Sequence, residues 1–206
     1  TGADNTSVGY AALSANTTGA SNTSVGTGSL NSNTTAAQGT ALGGGALNAN
    51  TTGANNTATG MGALHDNTTG ASNVAVGQGA LYTNTTAANN VAVGKDAMVN
   101  NTTGAANTAI GMNALLTNTT AANNTAVGFE AMKDTTTGHT NSAFGQYALA
   151  NNTTGHGNVA IGQNSMGGGV QTAESNTAVG WSSLFSNTSG ASNVAIGTST
   201  MYTNTS

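Results

Sequence analysis

Residues Asn84 to Gly111 read NTTAANNVAVGKDAMVNNTTGAANTAIG, and within this stretch NTT, N-[VT]-A-[VI]-G and A-[ML] or its counterpart come round again after a fixed interval. The residues that return are Asn, Thr, Ala, Gly and an aliphatic, while those that change carry charge or bulk. Working outward, Gly closes the N-[TV]-[AS]-[VI]-G motif or a degenerate form of it at 9, 26, 43, 60, 77, 94, 111, 128, 145, 162, 180 and 197. The spacing is 17 residues throughout, except for 18 between Gly162 and Gly180. A period in this range is the signature of a repeat architecture.

With that Gly numbered as the fifth place, the unit is N-[TV]-[AS]-[VI]-G-x-x-[AS]-[LM]-x-x-N-T-[TS]-[GA]-A-x. The ninth place is Leu or Met in all twelve units, from Leu13 to Met201, and is expected to point inward in every turn because no polar residue ever occurs there. The third is always Ala or Ser, and the twelfth is Asn except where simple counting meets Thr135 and Gly169. One unit has too few large apolar residues to fold alone, but stacked units share a continuous narrow core. The alternation over places two to four is the period-two signature of a strand, with places two and four expected to point inward and the small third residue outward. Since the third place is never larger than Ala or Ser, it is expected to pack closely against either a neighbouring chain or another part of the same turn. Helical solenoids need longer units of good helix formers, whereas these are full of Asn, Thr and Gly.

The expected fold is therefore all-β: a parallel β-solenoid, or β-roll, with 17 residues per turn and about twelve turns. Residues 1–206 form a single repeat array with one irregular turn at 163–180, where GGGVQTAES replaces the usual NTTGA tract. That tract reads first as a surface bulge and second as a binding loop. The motif Gly is expected at a corner that needs an unusual backbone angle or close packing. Asn at the first and twelfth places should form amide ladders between successive turns. At roughly 4.8 Å per turn, twelve turns make a rod on the order of 58 Å long. A polar low-complexity chain without order would not restrict its ninth place to Leu or Met.

Composition narrows the function classes. The chain has no Cys and no Pro, and only 4% of its residues are charged, against about 25% in an ordinary soluble domain. With Lys95 and Lys133 as its only basic residues, it has no electrostatic footprint for nucleic acid. No apolar run approaches the roughly 18 residues of a membrane span, so membrane insertion is not expected.

The segments Asn158–Gly162 and Asn193–Gly197, both N-V-A-I-G, resemble the S-V-A-I-G motif in the heads of trimeric autotransporter adhesins. That resemblance implies a left-handed parallel β-roll and a homotrimer packed about an axis; it covers five residues of each turn, and turns in that family are usually shorter. The whole unit, N-T-A-V-G-x-x-A-L-x-x-N-T-T-G, is similar to repeat arrays of phage tail fibres and large bacterial surface-fibre proteins. This second resemblance covers nearly the whole chain and carries no catalytic residue across. It implies a structural segment of an extracellular fibre, on a virion or cell surface, whose partners are other copies of itself, side by side or head to tail.

No catalytic constellation is evident, and no enzyme activity, cofactor or metal is expected. By simple counting Asp66, Asp96, Glu130, Asp134 and Glu174 are scattered over the seventh, eleventh and seventeenth places, with no carboxylate stacked on another. His139 and His156 share the sixteenth place of adjacent turns and could hold a metal only with a third ligand, for which the sequence offers no candidate. Sequons begin at Asn16, Asn33, Asn50, Asn67, Asn84, Asn101, Asn118, Asn152, Asn187 and Asn204; pointing outward they are glycan acceptors, and pointing inward they are structural ladders.

Large rings occur at variable places: Tyr10, Phe129 and Trp181 at the sixth, Tyr147 at the seventh, and Tyr82, Phe185 and Tyr202 at the tenth. They are candidate surface-binding residues for carbohydrate or a packing partner, or else shields for the edge of the core. The leading expectation is a stiff fibre spacer with recurring, hence multivalent, adhesive places. The alternatives are a glycan-coated surface filament and an ice-binding solenoid built on the T-T pairs. Thr1 and Ser206 both fall on the fourteenth place, so the chain enters and leaves the pattern at one point, as a link in something longer would.

Overall fold

The computed structural model describes residues 2–204; Thr1, Thr205 and Ser206, and the expectation attached to the two ends, lie outside the described residues. Twelve three-residue strands, from Thr6–Val8 to Val194–Ile196, form one parallel sheet in which each strand pairs with the next in chain order. Every place pairs with its own copy: Thr57 with Val74, Ala58 with Ala75, Thr59 with Val76. The longer turn keeps this register, since Val159 still faces Thr177. The fold is thus an all-β parallel solenoid of about twelve turns with no helix among the described residues.

The direction of the strand side chains corrects the expectation. Third-place Ala58, Ala75, Ala92 and Ala109 are fully buried, whereas fourth-place Val76, Ile110 and Phe144 are 37%, 40% and 42% exposed. The alternation is real, but its apolar and small faces are exchanged. The cause is room: the ninth-place Leu or Met, with Ala at the eighth, already occupies the section, as Ala63 with Leu64 and Ala80 with Leu81 show, all fully buried. Only a methyl fits opposite, so the β-branched residues of the strand stand outside.

Three further places in each turn have positive φ, and one of them is the ninth, where φ runs from 47° at Leu30 to 54° at Leu13. The left-handed region is uncommon for any side chain and worst for β-branched ones. This explains why Val and Ile, common at the fourth place, never occupy the ninth. The fifth-place Gly meets both of its expected demands. At Gly77 φ is 132°, and a Cβ there would lie 2.5 Å from the Gly94 carbonyl oxygen of the next turn.

Candidate functional site

The buried polar groups form two amide columns along the roll, of which the first-place one is interrupted at Gly39, a residue with no side-chain amide. In the twelfth-place column, Asn33, Asn50, Asn67, Asn84, Asn101 and Asn118 each donate from Nδ2 to Oδ1 of the Asn one turn earlier, at 2.8–3.2 Å. In the first-place column, the Asn56 side chain accepts the backbone N–H of Asn73 at 2.9 Å, and Asn73 Nδ2 reaches Ala87 O at 2.9 Å. The two columns meet at the fifteenth-place carbonyl: Gly70 O accepts from Asn67 Nδ2 at 2.9 Å and from Asn56 Nδ2 at 2.7 Å. Each amide therefore satisfies backbone that would otherwise be buried without a partner, a state costing about 1–3 kcal/mol per group.

The twelfth-place column breaks twice. Thr135 supplies no amide, and in the 18-residue turn counting fails: Gln171, not Gly169, enters the interior and pairs across to Asn152. Its Nε2 donates to the carbonyls of Met166 and Gly168, while Gly169 and Val170 protrude as a surface bulge. Among the described residues, the buried side-chain atoms left without a partner are Asn118 Oδ1, Thr135 Oγ1, Asn152 Oδ1 and Gln171 Oε1, all at these two breaks.

This arrangement decides how the sequons lie in the folded rod. Asn33, Asn50, Asn67, Asn84, Asn101, Asn118, Asn152 and Asn187 are buried, and Asn16 and Asn204 half-buried. Attaching a glycan to the buried ones would require an occupied Nδ2 to leave its column. The adjacent Thr hydroxyl also turns to the backbone, as Thr68 Oγ1 does to Thr85 O at 3.0 Å, leaving the fourteenth-place Thr69, Thr86 and Thr103 as the exposed file.

The candidate surface rings do not gather into one site. Phe129 meets Tyr147 edge to face with centroids 5.4 Å apart, and Phe185 stacks on Tyr202 at 5.0 Å. Tyr82 stacks on a residue the sequence reading passed over, His65, at 4.7 Å and 1° between planes. Tyr10 and Trp181 are exposed.

His139 and His156 stack at 4.9 Å, and the structure adds a third member of their file. Glu174 belongs to the sixteenth place rather than the seventeenth, because the extra residue of its turn shifts the count, and its Oε2 lies 3.3 Å from His156 Nε2. Stacked face to face, the two rings do not converge their nitrogens. Among the described residues no group of three or more His, Cys, Asp or Glu is placed to hold a metal ion.

The chain matches no protein-family model, no curated protein and no solved structure. Its own geometry has to carry the functional reading.

Proposed function

We propose that this chain is a structural segment of an extracellular fibre, of the tail-fibre or surface-filament kind its repeat resembles, and that it acts as a stiff spacer. The observation that supports this reading is the repetition of one strand register through the whole sheet, with amide columns beside it over most of the turns. Bending the rod requires hydrogen bonds on one side to lengthen in many turns at once, and nearest-neighbour stacking makes stiffness a property of the whole array. Side-by-side association is supported by the outward fourth-place row, in which Val76, Ile110, Phe144 and Ile161 recur one turn or a few turns apart, all more than a third exposed. A row of exposed apolar side chains on a parallel sheet is a surface that other copies can cover.

Negative-stain images of the isolated chain should show straight rods on the order of 58 Å per copy; compact or curling particles would sink the spacer reading. Light scattering tests association separately. The expected mass is that of a trimer, and Val76→Lys with Ile110→Lys should reduce it to a monomer without changing the circular dichroism. A wild-type monomer at every concentration would remove the side-by-side part and leave the rod. The buried sequons favour this spacer over a filament coated with Asn-linked glycans, and the thirteenth-place hydroxyls turned to backbone leave a single exposed Thr file, half of what an ice-binding surface built on the T-T pairs would present.

A further inference from the structure

A trough of about 400 Å³ opens on one side of the rod across turns three to six. It exists because the seventh place, which in other turns often carries a side chain, is Gly45, Gly62 and Gly79 in succession. Tenth-place side chains lean back over this floor. A Cβ on Gly45 would come 3.2 Å from the His65 ring, and one on Gly62 3.0 Å from the Tyr82 ring. The two stacked rings make one aromatic border, to which Val99 adds an aliphatic patch, with Met61, 62% exposed, as a second apolar element. At the far end stands Asp96, and Gln78 is exposed at the rim.

Two comparisons within the molecule show that the opening is particular to these turns. One turn earlier, Asn48 sits at the tenth place and its Nδ2 donates to the Gly28 carbonyl at 2.8 Å, covering the floor. His65 and Tyr82 bring rings instead, and leave the Gly45 and Gly62 carbonyls without that amide. Further along, the same places are filled by side chains that pair with one another: Asn113 Nδ2 with Glu130 Oε1 at 3.4 Å, Lys133 with Glu130 at 3.3 Å, and Phe129 against Tyr147.

The chemistry of the trough selects a ligand class. Its polar groups are mostly acceptors, namely the Asp96 carboxylate, the carbonyl of half-buried Gly45 and the Gln78 amide oxygen, with the Tyr82 hydroxyl and the Gln78 NH₂ as donors. Such a set calls for a ligand with several hydroxyl donors and an apolar C–H surface for the rings, Met61 and Val99. Anions are disfavoured: the neighbouring cation, Lys95, lies 3.8 Å from Asp96 Oδ2, and Asp66 adds a second carboxylate beside His65. We infer that this trough is a binding site for a neutral oligosaccharide lying along the rod. The inference does not depend on the rod being part of a fibre, since the site is complete within one chain.

Saturation-transfer difference NMR on the full chain tests it, with cellotriose, maltotriose, chitotriose and mannotriose as probes and with polysialic acid and a lysine-containing tripeptide as controls. At least one neutral trisaccharide should receive saturation. Its affinity should fall about tenfold in Gln78→Ala and in Tyr82→Ala, a loss typical of one good polar or ring contact. Tyr10→Ala, an exposed ring away from the trough, should leave it unchanged. Gln78 is exposed, so its variant keeps the test valid even if Tyr82→Ala disturbs the fold. The inference is overturned if no neutral probe is saturated, if only a control is, or if binding survives both trough variants.

Discussion

From Asn16 to Asn118 the twelfth-place amides form an unbroken column, whereas from Thr135 to Gln171 the same column is interrupted twice within three turns. The backbone hardly registers the difference, since the strands keep the same parallel pairing through both regions. What changes is satisfaction: among the described residues, every buried side-chain atom without a partner lies at the interruptions of this column. The strand register and the amide column are therefore separable sources of order. A solenoid can lose a link in one while the other holds neighbouring turns in line, at the cost of a locally weaker stack.

The largest effect expected on this contrast comes from the apolar file that both regions share. Leu81 is fully buried, and Leu81→Asp should destabilise by more than about 4 kcal/mol, because an unpaired charge would enter the interior; urea unfolding would measure it. Ala92→Lys belongs to the same class now that Ala92 is known to be internal, and it should unfold the rod rather than merely alter its association.

Next in size, Asn84→Ala inside the unbroken column should cost about 2 kcal/mol, since it orphans Asn67 Oδ1 and removes one of the two amides on Ala87 O, the other coming from Asn73. Thr135→Val, at a place where the column is already broken, should cost less than about 1 kcal/mol. Equal losses for the two would show that the column contributes nothing beyond packing. The smallest and most informative change is Thr135→Asn. It should raise stability by about 1 kcal/mol, by giving Asn118 Oδ1 a donor, and it should slow amide exchange in the turn from 124 to 140.

Much of this could be read from the residues. The 17-residue period, the ninth place, which is buried in ten of the twelve turns and partly open only at Leu13 and Met201, and the amide ladders are all consequences of a pattern that tolerates no exception or few. The orientation of the strand was misread because hydrophobicity alone ranks Val above Ala for an interior site. It cannot register that Leu from the opposite wall has already taken the volume. The left-handed ninth place was legible in principle, since Val and Ile abound at the fourth place and never appear at the ninth.

Glu174 and Gln171 were misplaced for another reason. One inserted residue leaves open where the count shifts, and only the pairing of Asn152 with Gln171 locates it. The trough was invisible because its central feature is three absent side chains, which gain meaning only when the tenth-place rings of neighbouring turns are seen to lean over them.

In-register pairing of near-identical turns also has a consequence for inheritance. Excising residues 56–72 would join Asn55 to Asn73, and each new neighbour would meet the donors and acceptors it met before. Unequal recombination between repeats can therefore lengthen or shorten the rod in quanta of one turn without passing through a misfolded ancestor. A change that is not a whole turn has to be absorbed locally, as the 18-residue turn absorbs its extra residue in the bulge at Gly169 and Val170, or it shifts later places against their copies. Rods of the shortened gene product should measure about 4.8 Å less in electron micrographs, read from averaged lengths, and should melt as cooperatively as the parent. Reach, in such a molecule, is a heritable trait that varies by copy number rather than by the slow substitution of residues.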